Sequence, residues 1–116
     1  MTPLAEQSIR GYTPNSRALS NSDALQLLPG LDGWKLTPPG DPPCDNRRLY
    51  KNYRFDNFAS ALAFTNRVAE LAEQANHHPR ICIEWGAVSI HWWTHEVSGL
   101  FINDFIMAAR CEQACL

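Results

Sequence analysis

Three of the four histidines in this 116-residue chain lie in two short runs. His77 and His78 stand directly before Pro79, and His95 follows Thr94. Histidine changes its charge near neutral pH, so its side chain can accept or release a proton during a reaction. If the two runs meet in the folded chain, three imidazoles share one small pocket. The residue types therefore predict a general acid–base site.

The first run must end a helix. Apolar residues recur at i, i+3 and i+4 over residues 58–75, which predicts an amphipathic helix. Pro79 cannot continue that helix and disfavours helical geometry at His78. Both histidines are therefore expected at the helix end or in the turn after it. Glu73 lies four residues before His77, so we expect one helical turn to bring these two side chains together.

The second run is expected at the end of a strand. Residues 81–85 alternate as a strand does, with Trp85 at the end, and a tight turn is plausible at Gly86-Ala87. Residues 88–93 then alternate as the second strand of a hairpin. Continued parity predicts that His95 shares a face with His91 and Trp93.

The remaining elements complete the fold prediction. They begin with a short helix at residues 20–28, with Ser22 as its cap. Strands follow at 34–36 and 48–55, with a proline-rich loop at 37–45 between them. A last helix opens at Asn103 or earlier, with Asp104 in its first turn. Two hairpins joined by a helix predict an α+β fold. It has a four-stranded antiparallel sheet with two main helices packed on one face, plus the short N-terminal helix. Residues 1–19 are predicted to be a flexible extension, and residues 20–116 the domain.

Composition narrows the possible partners. The net charge is −2 and the basic residues do not cluster, which argues against nucleic-acid binding. No apolar run approaches the roughly 20 residues that span a bilayer, and we see no secretory signal, so we expect a cytoplasmic protein without membrane association. The four cysteines lack a zinc-ribbon spacing, and Cys111 and Cys115 are interpreted as free thiols rather than metal ligands.

Most of the chain, from about residue 25 to residue 109, resembles the pterin-4a-carbinolamine dehydratase family, in particular its bacterial branch. The similarity is strongest at residues 73–79, 92–95, 99–100 and 103–109, with a tryptophan at position 85. The resemblance implies a lyase that removes water from 4a-hydroxytetrahydropterin, such as the tetrahydrobiopterin form, to give quinonoid dihydropterin. It also implies no metal or organic cofactor, and a homodimer or homotetramer.

The resemblance also assigns residues. It implies catalytic roles for His77, His78 and His95, with His77 and His95 transferring protons and His78 binding substrate or sharing the acid role. Glu73 is expected to orient an imidazole or hold the pterin, and Asp104 to fix a histidine tautomer. Trp85 and Trp93 are both candidate walls for the pterin ring, although a place in the core is the preferred interpretation of Trp85. This chain departs from relatives at Phe101, which cannot cap the last helix.

One function of another class stays open. Dehydratase-like proteins are known that help RuBisCO assemble in carboxysome-bearing bacteria, which would make the RuBisCO large subunit a partner. The intact histidines favour the enzyme, and the long N-terminal segment favours the assembly factor. Three histidines are also a possible zinc site, but adjacent His77 and His78 rarely point the same way.

Overall fold

A computed structural model describes residues 3–37 and 47–115 of the chain. Three α-helices and four strands follow one another in the order α1 Asn21–Leu27, β1 Lys35–Leu36, β2 Leu49–Arg54, α2 Phe58–Ala75, β3 Arg80–Glu84, β4 Ala87–Trp92 and α3 Ile102–Ala114. Short 3-10 helices add Leu4–Glu6, Leu28–Gly30 and His95–Val97. No helix in these described ranges has the length and apolarity needed to cross a membrane.

The strands form one antiparallel sheet in the order β1-β2-β4-β3. In its centre, Tyr53 of β2 lies opposite Val88 of β4, and Val88 in turn lies opposite Ile83 of β3. Because side chains alternate along a strand, these residues project from the same face. The α+β fold with a four-stranded antiparallel sheet, predicted from the sequence, is confirmed.

The helices cover only one face of this sheet. Its core is a layer of fully buried side chains contributed by both central strands and both long helices, including Leu49, Ile90, Trp92, Phe64, Val68 and Phe105. Burying each such side chain stabilises the fold by about 1.5–3 kcal/mol. The opposite face carries Tyr50, Asn52 and His91, which remain partly or fully accessible. This packing on one side leaves the end of β4 close to the start of α3.

Helix α2 begins and ends where the sequence predicts. The side chain of Asn57 accepts a hydrogen bond from the Ser60 backbone N–H at 2.8 Å, which caps the first turn. At the other end Asn76 takes a left-handed conformation, with φ of 50°. The cap predicted for α1 is wrong: Ser20, not Ser22, accepts from the Asp23 backbone N–H at 3.1 Å.

Two predictions about the β3–β4 hairpin also need correction. Trp85 lies in the turn and is 72% exposed, so it belongs neither to the strand nor to the core. The turn is built around Gly86, where an added Cβ would lie 2.9 Å from the carbonyl oxygen of Phe55. Glycine therefore lets the β2 backbone pass close beside the turn. In addition, β4 ends at Trp92, before the Thr94-His95 run.

The N-terminal segment, residues 3–19, lies against α3. The Arg110 guanidinium donates to the carbonyl of Gln7 at 2.8 Å, and the Leu19 backbone N–H donates to the carbonyl of Leu100 at 2.7 Å. The segment therefore has defined contacts with the domain, while its predicted flexibility and the boundary at residue 20 stay predictions. The proline-rich loop predicted at 37–45 lies almost wholly outside the described residues, as does Cys44.

Candidate active site

Asp104 is the centre of the candidate site. Its carboxylate is fully buried at the start of α3 and accepts three hydrogen bonds. Oδ2 receives the Thr94 hydroxyl at 2.8 Å and the Phe101 backbone N–H at 2.9 Å, and Oδ1 lies 2.7 Å from Nε2 of His77. The contact with Phe101 is the reciprocal half of a capping box, in which the third residue of the helix satisfies the backbone N–H of the N-cap residue. We call Asp104, His77, Thr94 and the Phe101 backbone the Asp104 cluster.

His77 reaches this carboxylate because of how α2 ends. The left-handed Asn76 turns the chain, and the His77 backbone N–H returns to the carbonyl of Ala72 at 3.2 Å. Because this hydrogen bond closes the C-terminus of α2, the chain folds back and His77 lies beside the last turn of the helix. Its ring stacks on Trp92, with centroids 5.5 Å apart and planes 18° from parallel, and the residue is 8% exposed. His77 is therefore held on two sides while keeping a small opening.

The contact with Asp104 favours the tautomer of His77 that carries its proton on Nε2. Burial raises the pKa of Asp104 above its ordinary value, although hydrogen bonds from His77, Phe101 and Thr94 act in the opposite direction. Such a carboxylate is a strong acceptor for the Nε2–H of His77. With Nε2 protonated, a neutral imidazole has its lone pair on Nδ1. His77 can therefore act as a base through Nδ1.

His95 lies next to the cluster in a closed loop. Thr94 and Gly99 pair through backbone hydrogen bonds of 2.8 and 3.2 Å, and Ser98 between them has φ of 52°. This loop places His95 at the start of a 3-10 helix with an exposed ring. The parity argument that grouped His95 with His91 does not apply, because β4 has already ended. The hydroxyl of Thr94 links the loop to Asp104.

His78 and Glu73 form a separate, exposed pair. Nε2 of His78 lies 3.3 Å from Oε1 of Glu73, and the two side chains are 52% and 78% exposed. The predicted contact between Glu73 and His77 is wrong, because the turn at Asn76 takes His77 out of the helical register. A polar contact this exposed adds little stability. Both side chains remain available to a ligand.

Trp93 stands at the edge of the site. Its ring meets that of His95 edge-on, with centroids 5.4 Å apart. The guanidinium of Arg48 lies 4.4 Å from the centroid of the same indole. This cation–π contact fixes the Trp93 ring from the side of the open sheet face. A cavity of about 360 Å³ also opens on that face, but it lies away from Trp93, and its lining includes Asn52 and Trp85.

Sequence reasoning missed the contribution of Tyr12. Its hydroxyl receives a hydrogen bond from Nδ2 of Asn103 at 3.1 Å, and its ring lies 5.4 Å from that of Phe101. Burial raises the pKa of Tyr12; the Asn103 hydrogen bond opposes this, and the nearby charge of Glu96 adds to it. No periodicity or motif marks a tyrosine in this segment, so the sequence held no signal for it.

The histidine, cysteine and acidic side chains do not form a metal site in the described part of the chain. Among residues 3–37 and 47–115, no three histidine, cysteine or acidic side chains converge as metal ligands do. Cys111 is buried, and burial raises the pKa of its thiol to about 12, so the thiol stays protonated at neutral pH. That no metal or cofactor is required stays a prediction.

The helix-covered antiparallel sheet places the chain in the pterin dehydratase fold. A crystal structure of a transcriptional coactivator/pterin dehydratase from Brucella melitensis is similar to it, with a TM-score of 0.73 and 25% identity over 86% of this chain and 100% of that one. A pterin dehydratase-like protein, described as a RuBisCO assembly factor in the alpha-carboxysome, has a TM-score of 0.57 at 24% identity. That match covers 72% of this chain and 89% of the other.

The family follows from the sequence comparison. The family model described as Pterin 4 alpha carbinolamine dehydratase matches residues 17–114, and the chain belongs to this family. Provisionally named pterin-4-alpha-carbinolamine dehydratases are similar to it in Saccharophagus degradans, with 52% identity over 97% of this chain and 96% of the relative, and in Vibrio cholerae, with 49% over 94% and 96%. One from Microcystis aeruginosa is 44% identical over 97% and 93%. The resemblance found in the sequence is confirmed.

Proposed function

We propose that the protein dehydrates 4a-hydroxytetrahydropterin to quinonoid dihydropterin by histidine acid–base catalysis. In this reaction the C4a–O bond breaks and the hydroxyl leaves as water with a donated proton. N5 gives up its proton, and a double bond forms between C4a and N5. The step is redox-neutral and needs only a base and an acid placed on one substrate. Family membership and the histidine arrangement support the proposal.

The observation with most weight is the 2.7 Å contact between Asp104 and Nε2 of His77. A histidine oriented by a buried carboxylate presents its other nitrogen as a base of defined position. We assign the removal of the N5 proton to His77. His95, exposed next to Thr94, is assigned proton donation to the departing hydroxyl. Positioned groups of this kind accelerate reactions by about 10²–10⁴-fold.

The remaining predicted residues would bind the substrate. His78 and Glu73 are exposed and paired with each other, so they can exchange that contact for the polar edge of a pterin. Carboxylates accept hydrogen bonds from amino groups such as those of an aminopyrimidine. Trp93 offers an indole beside His95 for contact with the flat ring. These binding roles follow the family resemblance, and substitution of each residue tests them.

The assembly-factor alternative has weaker support. The RuBisCO assembly factor is similar at 24% identity, and a likeness at that level concerns the fold alone. The relatives at 44–52% identity have names that point to dehydration. All three histidines of the motif are present in this chain, and His77 is oriented by Asp104. These observations favour the enzyme over an inactive relative that binds the RuBisCO large subunit.

The direct test is the rate at which 4a-hydroxytetrahydropterin absorbance disappears when purified protein is added. We expect wild-type protein to accelerate the loss, and His77→Ala and His95→Ala each to lower that rate by at least about tenfold. His91→Gln is the matched control, because His91 stacks on Tyr50 on the open sheet face. Wild-type protein that leaves the spontaneous rate unchanged would eliminate the proposal. In that case, a raised yield of assembled RuBisCO on co-expression would support the alternative.

We also propose that the protein self-associates as a homodimer or homotetramer. Strands β1 and β3 are the two edges of the sheet, and β3 has five residues available for pairing. Open edges favour pairing with another copy. Sedimentation at micromolar concentration is expected to show a dimer or tetramer, and a monomer there would contradict the proposal. The cytoplasmic location stays a prediction.

A further inference from the structure

The N-terminal segment, residues 3–19, is bound to the start of α3 by a buried amide. Oδ1 of Asn103 accepts the Arg10 backbone N–H at 2.8 Å, and its Nδ2 donates to the carbonyl of Arg10 at 2.9 Å. The same Nδ2 donates to the Tyr12 hydroxyl at 3.1 Å. Because Asn103 is fully buried, an unpaired amide at this position would be destabilising. These hydrogen bonds therefore anchor the segment on the helix.

A second side chain of α3 binds the segment closer to its start. Arg110 follows Asn103 by about two helical turns and therefore projects from the same side of α3. Its guanidinium donates to the carbonyl of Gln7 at 2.8 Å and to that of Ala5 at 3.3 Å. Ile9, from the same stretch, is partly buried against the hydrophobic core. The first half of the segment is thus held along one side of the helix.

The other end of the segment lies beside the loop that carries the ring of His95. This loop consists of residues 94–99, and we call it the His95 loop. The Leu19 backbone N–H donates at 2.7 Å to the carbonyl of Leu100, which directly follows the loop. The end of the segment is therefore bonded to the chain where the loop closes.

Gly99 closes the His95 loop and also contacts the segment. Its backbone pairs with that of Thr94 through hydrogen bonds of 2.8 and 3.2 Å. A Cβ added at Gly99 would lie 3.1 Å from Cβ of Ala18, which is closer than most side chains pack. Glycine therefore lets Ala18 pack directly on the backbone that closes the loop.

We propose that Asn103 is a positioning residue for His95, because it anchors the segment whose other end supports the His95 loop. A surface loop with few buried contacts opens readily, and contacts from outside the loop reduce this opening. Anchored at Arg10 and bonded at Leu19, the segment keeps the loop closed and the imidazole in one place. The kinetic consequence rests on the proposed dehydration, in which His95 donates a proton, whereas the support of the loop does not.

Two substitutions test the two ends of this support separately. Asn103→Ala removes the amide that binds Arg10, and Asn52→Ala is the matched control, because it removes the same group on the open sheet face. Gly99→Ala adds the Cβ that would meet Ala18, and Ala18→Gly in the same protein restores the space. Rescue by Ala18→Gly separates the contact with the segment from any effect of alanine on the loop backbone.

The experiment makes two measurements on each folded protein. Hydrogen–deuterium exchange of the Thr94 and Gly99 backbone amides reports how often the His95 loop opens, and steady-state kinetics gives kcat and KM for 4a-hydroxytetrahydropterin. For Asn103→Ala and for Gly99→Ala we expect exchange about tenfold faster than in the wild type. We also expect kcat to fall about three- to tenfold with KM nearly unchanged. Asn52→Ala and the double variant with Ala18→Gly should match the wild type in both measurements.

Wild-type exchange rates in folded Asn103→Ala would overturn the proposal, and so would faster exchange without a loss of kcat in an active protein. An effect of Gly99→Ala that Ala18→Gly does not reverse would also overturn it. If Asn103→Ala does not fold, Gly99→Ala and its rescue decide. If the wild-type protein does not dehydrate the pterin, the proposed function fails, and the exchange rates alone decide whether the segment supports the loop.

Discussion

Helix α3 has a carboxylate near each end, and the two lie in different surroundings. Asp104, near the start, is fully buried and faces His77. Glu112, near the end, is 32% exposed and accepts from Lys51 at 2.6 Å, Tyr53 at 2.6 Å and Trp34 at 2.7 Å. We call these last four residues the Glu112 cluster. Each carboxylate therefore accepts three protein donors.

The two clusters differ in the side chains that donate hydrogen bonds to the carboxylate. Lys51, Tyr53 and Trp34 all donate to Glu112, and burial, followed by hydrogen bonding to Glu112, raises the pKa of Tyr53 above its ordinary value. The hydrogen bonds of the Glu112 cluster therefore link α3 to β2 and to the residues before β1. The Asp104 cluster includes His77, and histidine is the residue type that most often serves as a general acid or base. We therefore expect the Glu112 cluster to stabilise the fold, and we propose the Asp104 cluster as the one that takes part in catalysis.

Glu112→Gln is expected to have the largest effect on folding. An amide keeps the shape but removes the charge and presents N–H groups to donors, so the free energy of unfolding should fall by about 1–3 kcal/mol. Urea unfolding measures this loss. The dehydration rate of the folded variant should equal that of the wild type. A variant with full stability and reduced rate would reverse the assignment of the two clusters.

The same cluster predicts a dependence of stability on pH. Burial raises the pKa of Glu112, but hydrogen bonds from Lys51, Tyr53 and Trp34 outweigh it and lower the pKa below its ordinary value. Its stabilising contribution is therefore complete above the ordinary glutamate pKa of about 4.3 and is lost as the pH falls through the lower folded-state value. Unfolding free energies measured from pH 7 to pH 3 should decrease more for the wild type than for Glu112→Gln. Parallel curves would contradict this.

Thr94→Val tests one donor of the Asp104 cluster. Valine has nearly the same shape but no hydroxyl, so Oδ2 of Asp104 keeps only the Phe101 backbone N–H. The loss of one hydrogen bond to a charged group should lower kcat about tenfold, with a stability loss of about 1–2 kcal/mol. Steady-state kinetics and thermal unfolding separate the two effects. Ser89→Ala, on the open sheet face, is the control for removal of a hydroxyl.

Glu73→Gln should have the smallest effect on folding. The Glu73–His78 pair is exposed on both sides, so its removal should change the unfolding free energy by less than about 0.5 kcal/mol. If Glu73 binds the pterin, the variant should instead raise KM while kcat stays near the wild-type value. A marked loss of thermal stability would show that the pair has a structural role.

Local patterns in the sequence predicted much of the fold. The apolar spacing identified α2 at its observed bounds, and strand alternation identified the sheet. Lys51, on the covered face of β2, pairs with a carboxylate that the local sequence pattern did not predict. The partner itself, Glu112, is 61 residues away and has no local mark.

The sequence predicted which residues belong to the candidate site, but it did not predict all of the contacts between them. The motif identified His77 and Asp104, whereas the turn at Asn76 decided that Asp104, and not Glu73, meets His77. His95 was misplaced because backbone pairing between Thr94 and Gly99 ends the strand pattern. These features depend on backbone conformation and distant packing, which periodicity does not describe.

The most direct test of the account is the ratio of kcat/KM for 4a-hydroxytetrahydropterin between Asp104→Asn and Glu112→Gln, assayed together as folded proteins. Each substitution replaces a carboxylate with an amide on the same helix. The account predicts that Asp104→Asn is about a hundredfold less active, because the amide no longer holds Nε2–H of His77 in place. Equal values for the two variants would contradict a catalytic Asp104–His77 pair.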